Sequence, residues 1–255
     1  MTRFLITLAT LLVALYLLLC AGLYLFQRQL LYVPQPRTLD APGSTLELTR
    51  PEGPLQVTVQ AHEGPRALLY FGGNAEDVSL NLPELRQAFP DRALYLMHYP
   101  GYGGSAGEPS EALIVRDALA LFDQVQAAHP QVDVVGRSLG SGVAVQVASA
   151  RPVRRLVLVT PYDSIEAVAA ERFPWVPVGW LLKDRYRSVD RVGALRTPSL
   201  LLVAGQDRVI PPAHAERLAR HFAPGVARLE PLEGVGHNDI SLHPRYWALL
   251  QEALR

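Results

Sequence analysis

Short apolar segments alternate with longer segments of helical periodicity along most of this 255-residue chain. Several of the short segments are continuous apolar runs, as expected for strands buried on both faces of a parallel sheet. Helices are predicted at residues 111–128, 139–150 and 212–222. Strands are predicted at residues 56–61, 67–71, 93–98, 132–135, 156–160, 199–204 and 227–232. The alternation predicts an α/β fold with a mostly parallel central sheet covered by helices.

The N-terminal segment has a different composition. Residues 4–26 carry no charge and are rich in leucine, which reaches the roughly 20 residues needed to cross a bilayer. Arg28 and Tyr32 suit the headgroup layer, and the prolines that follow end the helix. We therefore predict a single-pass transmembrane anchor at residues 1–32.

A cleaved signal peptide is the alternative for this segment, because Arg3 and the apolar run after it fit the start of such a peptide. No small-residue cleavage motif follows at the expected place. Positive charges flank both ends of the run, so they do not fix its orientation, and our expectation is a domain outside the cytoplasm. A chain that starts near Arg37 is expected to be soluble and active.

The rest of the chain is expected to form one domain. Residues 33–54 are predicted to be a linker and first strand region, and residues 55–255 a single domain with one large core. Between two predicted strands, residues 162–191 break the alternation with closely spaced prolines and tryptophans. We interpret this segment as a short cap over the functional site.

Charge and cysteine content exclude two classes of function. Lys plus Arg equals Asp plus Glu at 24 each, so no excess positive charge is available to neutralise nucleic-acid phosphates. The only cysteine, Cys20, lies in the apolar run, which excludes an intrachain disulfide and a cysteine-based metal site. We expect no nucleic-acid partner, no metal and no organic cofactor.

A G-x-S-x-G motif, Gly136-Arg137-Ser138-Leu139-Gly140, stands directly between a predicted strand and a predicted helix. A nucleophile on such a tight turn has a strained backbone and needs neighbours without side chains. The helix N-terminus also directs backbone N–H groups towards a reacting carbonyl. The motif predicts Ser138 as a nucleophile and the Leu139 N–H as an oxyanion donor.

A serine nucleophile needs a base and an orienting acid further along the chain. Asp207 follows the sixth predicted strand, and His237 follows the last one in a glycine-flanked loop. We predict His237 as general base and Asp207 as the acid that orients it. His243 is the alternative base, and Asp163 and Asp239 are the alternative acids.

A second oxyanion donor is expected in the loop after an early strand. Gly72-Gly73-Asn74 follows the predicted strand at residues 67–71. The backbone N–H of Asn74 is the predicted donor.

Four motifs of the chain resemble those of a known family. They are Gly-Asn-Ala-Glu-Asp at 73–77, Tyr-Pro-Gly-Tyr-Gly-Gly-Ser at 99–105, Gly-Arg-Ser-Leu-Gly-Ser-Gly at 136–142 and Gly-His-Asn at 236–238. Together they resemble the α/β-hydrolase superfamily and, within it, the BEM46-like group that includes the ABHD17- and ABHD13-type hydrolases. The resemblance implies an α/β-hydrolase fold and a triad of Ser138, Asp207 and His237.

Two positions depart from that group. Gly72 stands where the group usually has histidine, and Pro100 where it commonly has arginine. The histidine helps to fix the oxyanion loop in the group, so we expect the loop here to be less constrained.

The residues and the resemblance together predict a membrane-anchored serine hydrolase that cleaves ester-type acyl bonds through an acyl-enzyme intermediate. The expected substrate is a small-molecule or lipid-like acyl compound. A thioesterase and a serine aminopeptidase-like amidase are the alternative enzymes. A non-catalytic, membrane-tethered scaffold is the alternative outside enzymes, since fold alone does not establish function.

Overall fold

An eight-stranded sheet forms the centre of the protein in the computed structural model, which describes residues 1–39 and 43–255. Its strands are β1 (Thr45–Leu48), β2 (Leu55–Gln60), β3 (Arg66–Phe71), β4 (Ala93–Met97), β5 (Gln131–Arg137), β6 (Arg155–Val159), β7 (Ser199–Ala204) and β8 (Ala227–Leu232). They lie in the order β1-β2-β4-β3-β5-β6-β7-β8. Strand β2 pairs antiparallel with β1 and β4, and the remaining pairs are parallel. The predicted α/β class with a mostly parallel sheet is confirmed.

Each of the seven predicted strands matches an observed strand to within two residues at either end. Strand β1 lies in the segment 33–54, for which the sequence predicts a linker and first strand region. Three residues of that segment, 40–42, lie outside the described residues.

Helices cover both faces of the sheet. They are α1 (Thr2–Leu31), α2 (Leu82–Ala88), α3 (Glu111–Ala128), α4 (Leu139–Ala150), α5 (Ile165–Arg172), α6 (Val178–Leu181), α7 (Val189–Val192), α8 (Pro212–His221) and α9 (Tyr246–Ala253). Short 3-10 turns occur at Val78–Asn81 and Ile240–Leu242. The sequence does not predict α2, since seven residues make about two turns and are too few to establish a helical period.

Strand β3 illustrates how the two faces are buried. Ala67, Leu69 and Phe71 belong to one core cluster, whereas Leu68 and Tyr70 belong to the other. Successive side chains of a strand point to opposite faces, so a strand that is apolar throughout packs against helices on both sides. This arrangement places the carboxyl ends of the parallel strands at one edge, where the loops meet.

Helices α5, α6 and α7 occupy the segment between β6 and β7, where the sequence predicts a cap at residues 162–191. Val178 is buried, but Trp175 is 50% exposed and Trp180 is 88% exposed. This segment therefore contributes apolar side chains both to the interior and to the surface.

Helix α1 spans 30 residues, or about 45 Å, with a mean hydropathy of 2.6 over its most apolar window. It is long and apolar enough to cross a membrane, a test that a signal sequence near the N-terminus also passes. Most of its side chains are exposed, but its C-terminal end packs on the domain. There Arg28 donates to Asp184 over 2.8 Å, and the hydroxyl of Tyr32 lies 3.0 Å from that of Tyr186.

Candidate active site

Ser138 occupies a strained turn between β5 and α4, with φ 50° and ψ −119°. The backbone N–H of Ser138 donates to the carbonyl of Val159 over 2.8 Å, which ties the turn to strand β6. A Cβ on Gly136 would lie 2.6 Å from Cβ of Ala144, and a Cβ on Gly140 would collide with backbone atoms of β3. The glycines of the motif are therefore required by close packing, as the sequence predicts.

The side chains of Ser138, His237 and Asp207 form a hydrogen-bonded chain. The distance from His237 Nε2 to Ser138 Oγ is 2.9 Å, and that from His237 Nδ1 to Asp207 Oδ2 is 2.7 Å. Because an ionised carboxylate only accepts, Nδ1 carries the proton that it donates to Asp207. The other nitrogen, Nε2, is then free to accept the serine proton. Asp207 Oδ1 accepts from the backbone N–H groups of Val209 and Ile210, each over 2.8 Å, which fixes the carboxylate.

The alternative acids and the alternative base make other contacts. Asp163 accepts hydrogen bonds from His214 and Arg217, each over 2.7 Å. Burial raises the pKa of Asp163, but these hydrogen bonds outweigh burial and lower the pKa to about 2. Asp239 accepts a hydrogen bond from the backbone N–H of Gly236. His243 accepts one from the backbone N–H of Arg245. The structure brings none of these three into hydrogen bonding with Ser138 or His237 within residues 1–39 and 43–255.

The two predicted oxyanion donors lie beside Ser138. Leu139 is the first residue of α4, and a Cβ on Gly73 would lie 3.7 Å from Cβ of Ser138. Among the described residues, the backbone N–H groups of Leu139 and Asn74 have no hydrogen-bond partner. Both N–H groups are thus available to a ligand, and an activated hydroxyl next to such donors is suited to attack on a carbonyl.

Glu76 holds the loop that carries Asn74. Its carboxylate accepts from the Gly73 N–H over 2.7 Å, from the Tyr70 hydroxyl over 2.7 Å and from Arg137 over 3.2 Å. The same guanidinium reaches the carbonyl of His237 at 3.5 Å. Glu76 and Arg137 therefore connect the oxyanion loop, the serine turn and the histidine loop. Sequence reasoning missed this role, although both residues lie within the quoted motifs.

The oxyanion loop is hydrogen-bonded at Gly72, and the expectation that it is less constrained than in the group stays a prediction. The Tyr99 hydroxyl donates to the Gly72 carbonyl over 2.8 Å. A Cβ on Gly72 would lie only 2.5 Å from Cγ1 of the buried Val78. A side chain at this position would require Val78 to shift, and the Glu76 carboxylate lies 3.2 to 3.3 Å from the same added Cβ.

Helix α1 also contacts the oxyanion loop. The side-chain amide of Asn74 donates to the carbonyl of Leu31 over 3.0 Å, and the Asn74 carbonyl accepts from the Val33 N–H over 3.1 Å. No local sequence pattern indicates these contacts, because the partners are more than 40 positions apart.

A cavity of about 290 Å³ opens beside Ser138. Residues between β6 and β7, such as Val168 and Phe173, line one side, and α1 residues such as Leu23 and Leu31 line another. The lining is almost entirely apolar, which suits a hydrocarbon group next to the reacting carbonyl. In the part of the chain that the structure describes, no group of three His, Cys, Asp or Glu side chains is placed to hold a metal ion.

Comparison with known proteins agrees with this architecture. A family model described as the alpha/beta hydrolase fold matches residues 67–187. Protein Rv2307c of Mycobacterium tuberculosis is 34% identical, over 90% of this chain and 88% of that protein. Protein bem46 of Schizosaccharomyces pombe is 24% identical, over 91% of this chain and 87% of that protein. The solved structure of a Pyrococcus furiosus esterase superposes with a TM-score of 0.67 at 15% identity, covering 88% of this chain and 96% of that one, which is a likeness of fold alone.

Proposed function

Since the chain belongs to the α/β-hydrolase family, we propose that it is a membrane-anchored serine hydrolase that cleaves ester-type acyl bonds. The observation that carries this proposal is the hydrogen-bonded chain from Asp207 through His237 to Ser138, at the end of an apolar cavity. The base His237 therefore contacts the nucleophile Ser138, which lines the cavity that would hold the acyl group.

In the proposed reaction, Nε2 of His237 removes the proton from Ser138 Oγ, and the oxygen attacks the ester carbonyl. The N–H groups of Asn74 and Leu139 stabilise the negative charge that develops on the carbonyl oxygen. The leaving alcohol takes the proton from His237, and an acyl-enzyme remains. Water then attacks this intermediate with the same histidine as base, the bond between the acyl carbon and Ser138 Oγ breaks, and His237 returns the proton to that oxygen as the carboxylic acid leaves. Asp207 stabilises the imidazolium in both steps.

The lining of the cavity supports the proposal that the enzyme binds the substrate through an apolar acyl group. Its lining contains a single charged side chain, Arg172, and the remaining polar side chains are Gln27, Asn74 and Ser138. A thioester and an amide can carry the same acyl group, so a panel of esters, thioesters and aminoacyl amides with matched acyl chains separates the three.

Contacts of α1 support an uncleaved anchor. The carboxylate of Asp184 is only 5% exposed and pairs with Arg28. Removing residues 1–32 as a signal peptide would leave that charge without its ionic partner, which is costly for a buried group. We assign the domain to the extracytoplasmic side of the membrane, and a reporter fused to the C-terminus tests that assignment.

A fluorophosphonate probe is expected to label Ser138, because phosphonylation needs the same activated hydroxyl as ester attack. Peptide mass spectrometry locates the label, and heat-denatured protein is the control. Labelling of a different residue, or no labelling of the folded protein, would contradict the proposed function.

Replacing Asn74 by proline is expected to lower kcat by about 10² to 10³, since it removes an oxyanion donor. The Asn74→Ala variant is the matched control. It keeps the backbone N–H but loses the bond to the Leu31 carbonyl, so its kcat should fall less. Circular dichroism and thermal melting establish that both variants fold. Equal rates for the two folded variants would mean that the second donor lies elsewhere.

A further inference from the structure

The wall of the cavity beside Ser138 includes the N-terminal helix. Leu23, Gln27, Leu30 and Leu31 of α1 line the same space as the catalytic serine and the cap. An element that served only to tether the domain would not need to contribute to this space.

The positions of these residues give the cavity a direction. Leu31 lies at the serine end, since its carbonyl accepts from Asn74 of the oxyanion loop. Leu23 lies eight residues earlier, about 12 Å further along the helix axis. The cavity therefore follows α1 away from Ser138 and towards the part of the helix that is suited to a bilayer.

Helix α1 is fixed against the domain at this level. The Gln27 side chain donates to the Leu181 carbonyl over 3.1 Å and accepts from the Lys183 N–H over 2.7 Å. Arg28 donates to both carboxylate oxygens of Asp184, over 2.8 and 3.3 Å. The helix wall therefore has a defined position relative to the cap.

The length of α1 places the outer end of the cavity near the membrane. A bilayer core needs roughly 20 residues of helix, and α1 has 30, so its last third remains for packing on the domain. The cap also contacts the apolar stretch that precedes this third, because the Tyr16 hydroxyl donates to the Trp175 carbonyl over 2.9 Å. The exposed Trp175 and Trp180 suit the interfacial layer.

We propose that the substrate is an acyl ester dissolved in the bilayer, and that its acyl chain lies along α1 between Leu31 and Leu23 with the ester carbonyl at Ser138. The anchor helix is then part of the binding site, and the chain enters from the membrane side. This inference rests on the proposed function and adds the substrate class. It also reverses the expectation that a chain starting near Arg37 is active, because that chain lacks one wall of the cavity.

The test compares Leu23→Trp with Leu25→Trp in the full-length protein in mixed micelles. Leu23 lines the cavity, whereas Leu25 is 68% exposed and lies about 200° around the helix from it. Both variants are assayed with p-nitrophenyl butyrate and p-nitrophenyl palmitate. The Leu23→Trp variant fills the outer end of the cavity, so its ratio of palmitate to butyrate kcat/KM should fall about tenfold, the equivalent of about two methylene contacts. The Leu25→Trp variant should keep the wild-type ratio.

The inference would be overturned if Leu23→Trp kept the wild-type ratio of palmitate to butyrate kcat/KM, or if this ratio fell equally in Leu23→Trp and Leu25→Trp. Leu23→Phe places a side chain of intermediate size in the cavity, so its ratio of palmitate to butyrate kcat/KM should lie between those of the wild type and Leu23→Trp. Failure of the proposed function looks different, because the wild-type protein would then hydrolyse neither ester and would not bind the fluorophosphonate at Ser138.

Discussion

The Ser138→Ala variant is expected to lose ester hydrolysis and fluorophosphonate labelling completely. Removing the nucleophile of a triad costs on the order of 10⁶ in kcat, because no other group can form the acyl-enzyme. The variant should fold, since alanine keeps the Cβ that already fits the turn at φ 50°. Hydrolysis of p-nitrophenyl butyrate and the melting temperature are the two measurements.

Ser141→Ala is the matched control on the same turn. The Ser141 hydroxyl donates to the Ser138 carbonyl over 2.7 Å and makes no contact with His237 in the described residues. This variant should keep most of the activity and all of the labelling. Undiminished hydrolysis in Ser138→Ala, or loss of labelling only in Ser141→Ala, would show that the nucleophile is wrongly assigned.

The Asp207→Asn variant is expected to lose about 10⁴ in kcat, the cost of the wrong histidine tautomer in a serine triad. The structure indicates how the new amide would be oriented. In Asp207, Oδ1 accepts hydrogen bonds from the backbone N–H groups of Val209 and Ile210. The asparagine amide would therefore place its oxygen at this position, because only the oxygen can accept these bonds. The amide NH₂ would then face Nδ1 of His237 and donate to it, which places the imidazole proton on Nε2. That nitrogen could no longer accept the proton of Ser138.

Asp163→Asn is the control for this prediction, because Asp163 is also a buried carboxylate paired with a histidine. Its partner is His214 rather than His237. We expect Asp163→Asn to lower the melting temperature, through the loss of its ion pair with Arg217, and to leave kcat near the wild-type value. If kcat of Asp207→Asn fell by less than about tenfold, rather than by the expected factor of about 10⁴, another group would orient His237.

Local sequence patterns were sufficient for the sheet and for the serine turn. Strands β3, β6 and β7 are apolar after their first residue. A short apolar run between turns favours a buried strand. The glycines around Ser138 indicate the tight turn by themselves. Helix α2 and the limits of the cap helices lacked such a signal, because each is too short to establish a period.

The role of Glu76 depended on tertiary structure, and so did the fit at Gly72. Glu76 contacts Arg137 across 61 positions of the chain, so no window of sequence contains the pair. Gly72 and Val78 are only six positions apart, but their packing depends on how the loop closes. The sequence reveals the missing histidine at Gly72 but not the hydrogen bond by which Glu76 holds the loop at Gly73.

The sequence alone determined the α/β class, the strand positions, the long apolar helix and the candidate residues Ser138, Asp207 and His237. These follow from periodicity, residue size and short motifs, all of which act within a few positions of the chain. Only the tertiary structure decided that Asp207, rather than Asp163, lies within 2.7 Å of His237, and that α1 lines the cavity. Such contacts join residues 30 to 156 positions apart, and their formation depends on the packing of the whole domain.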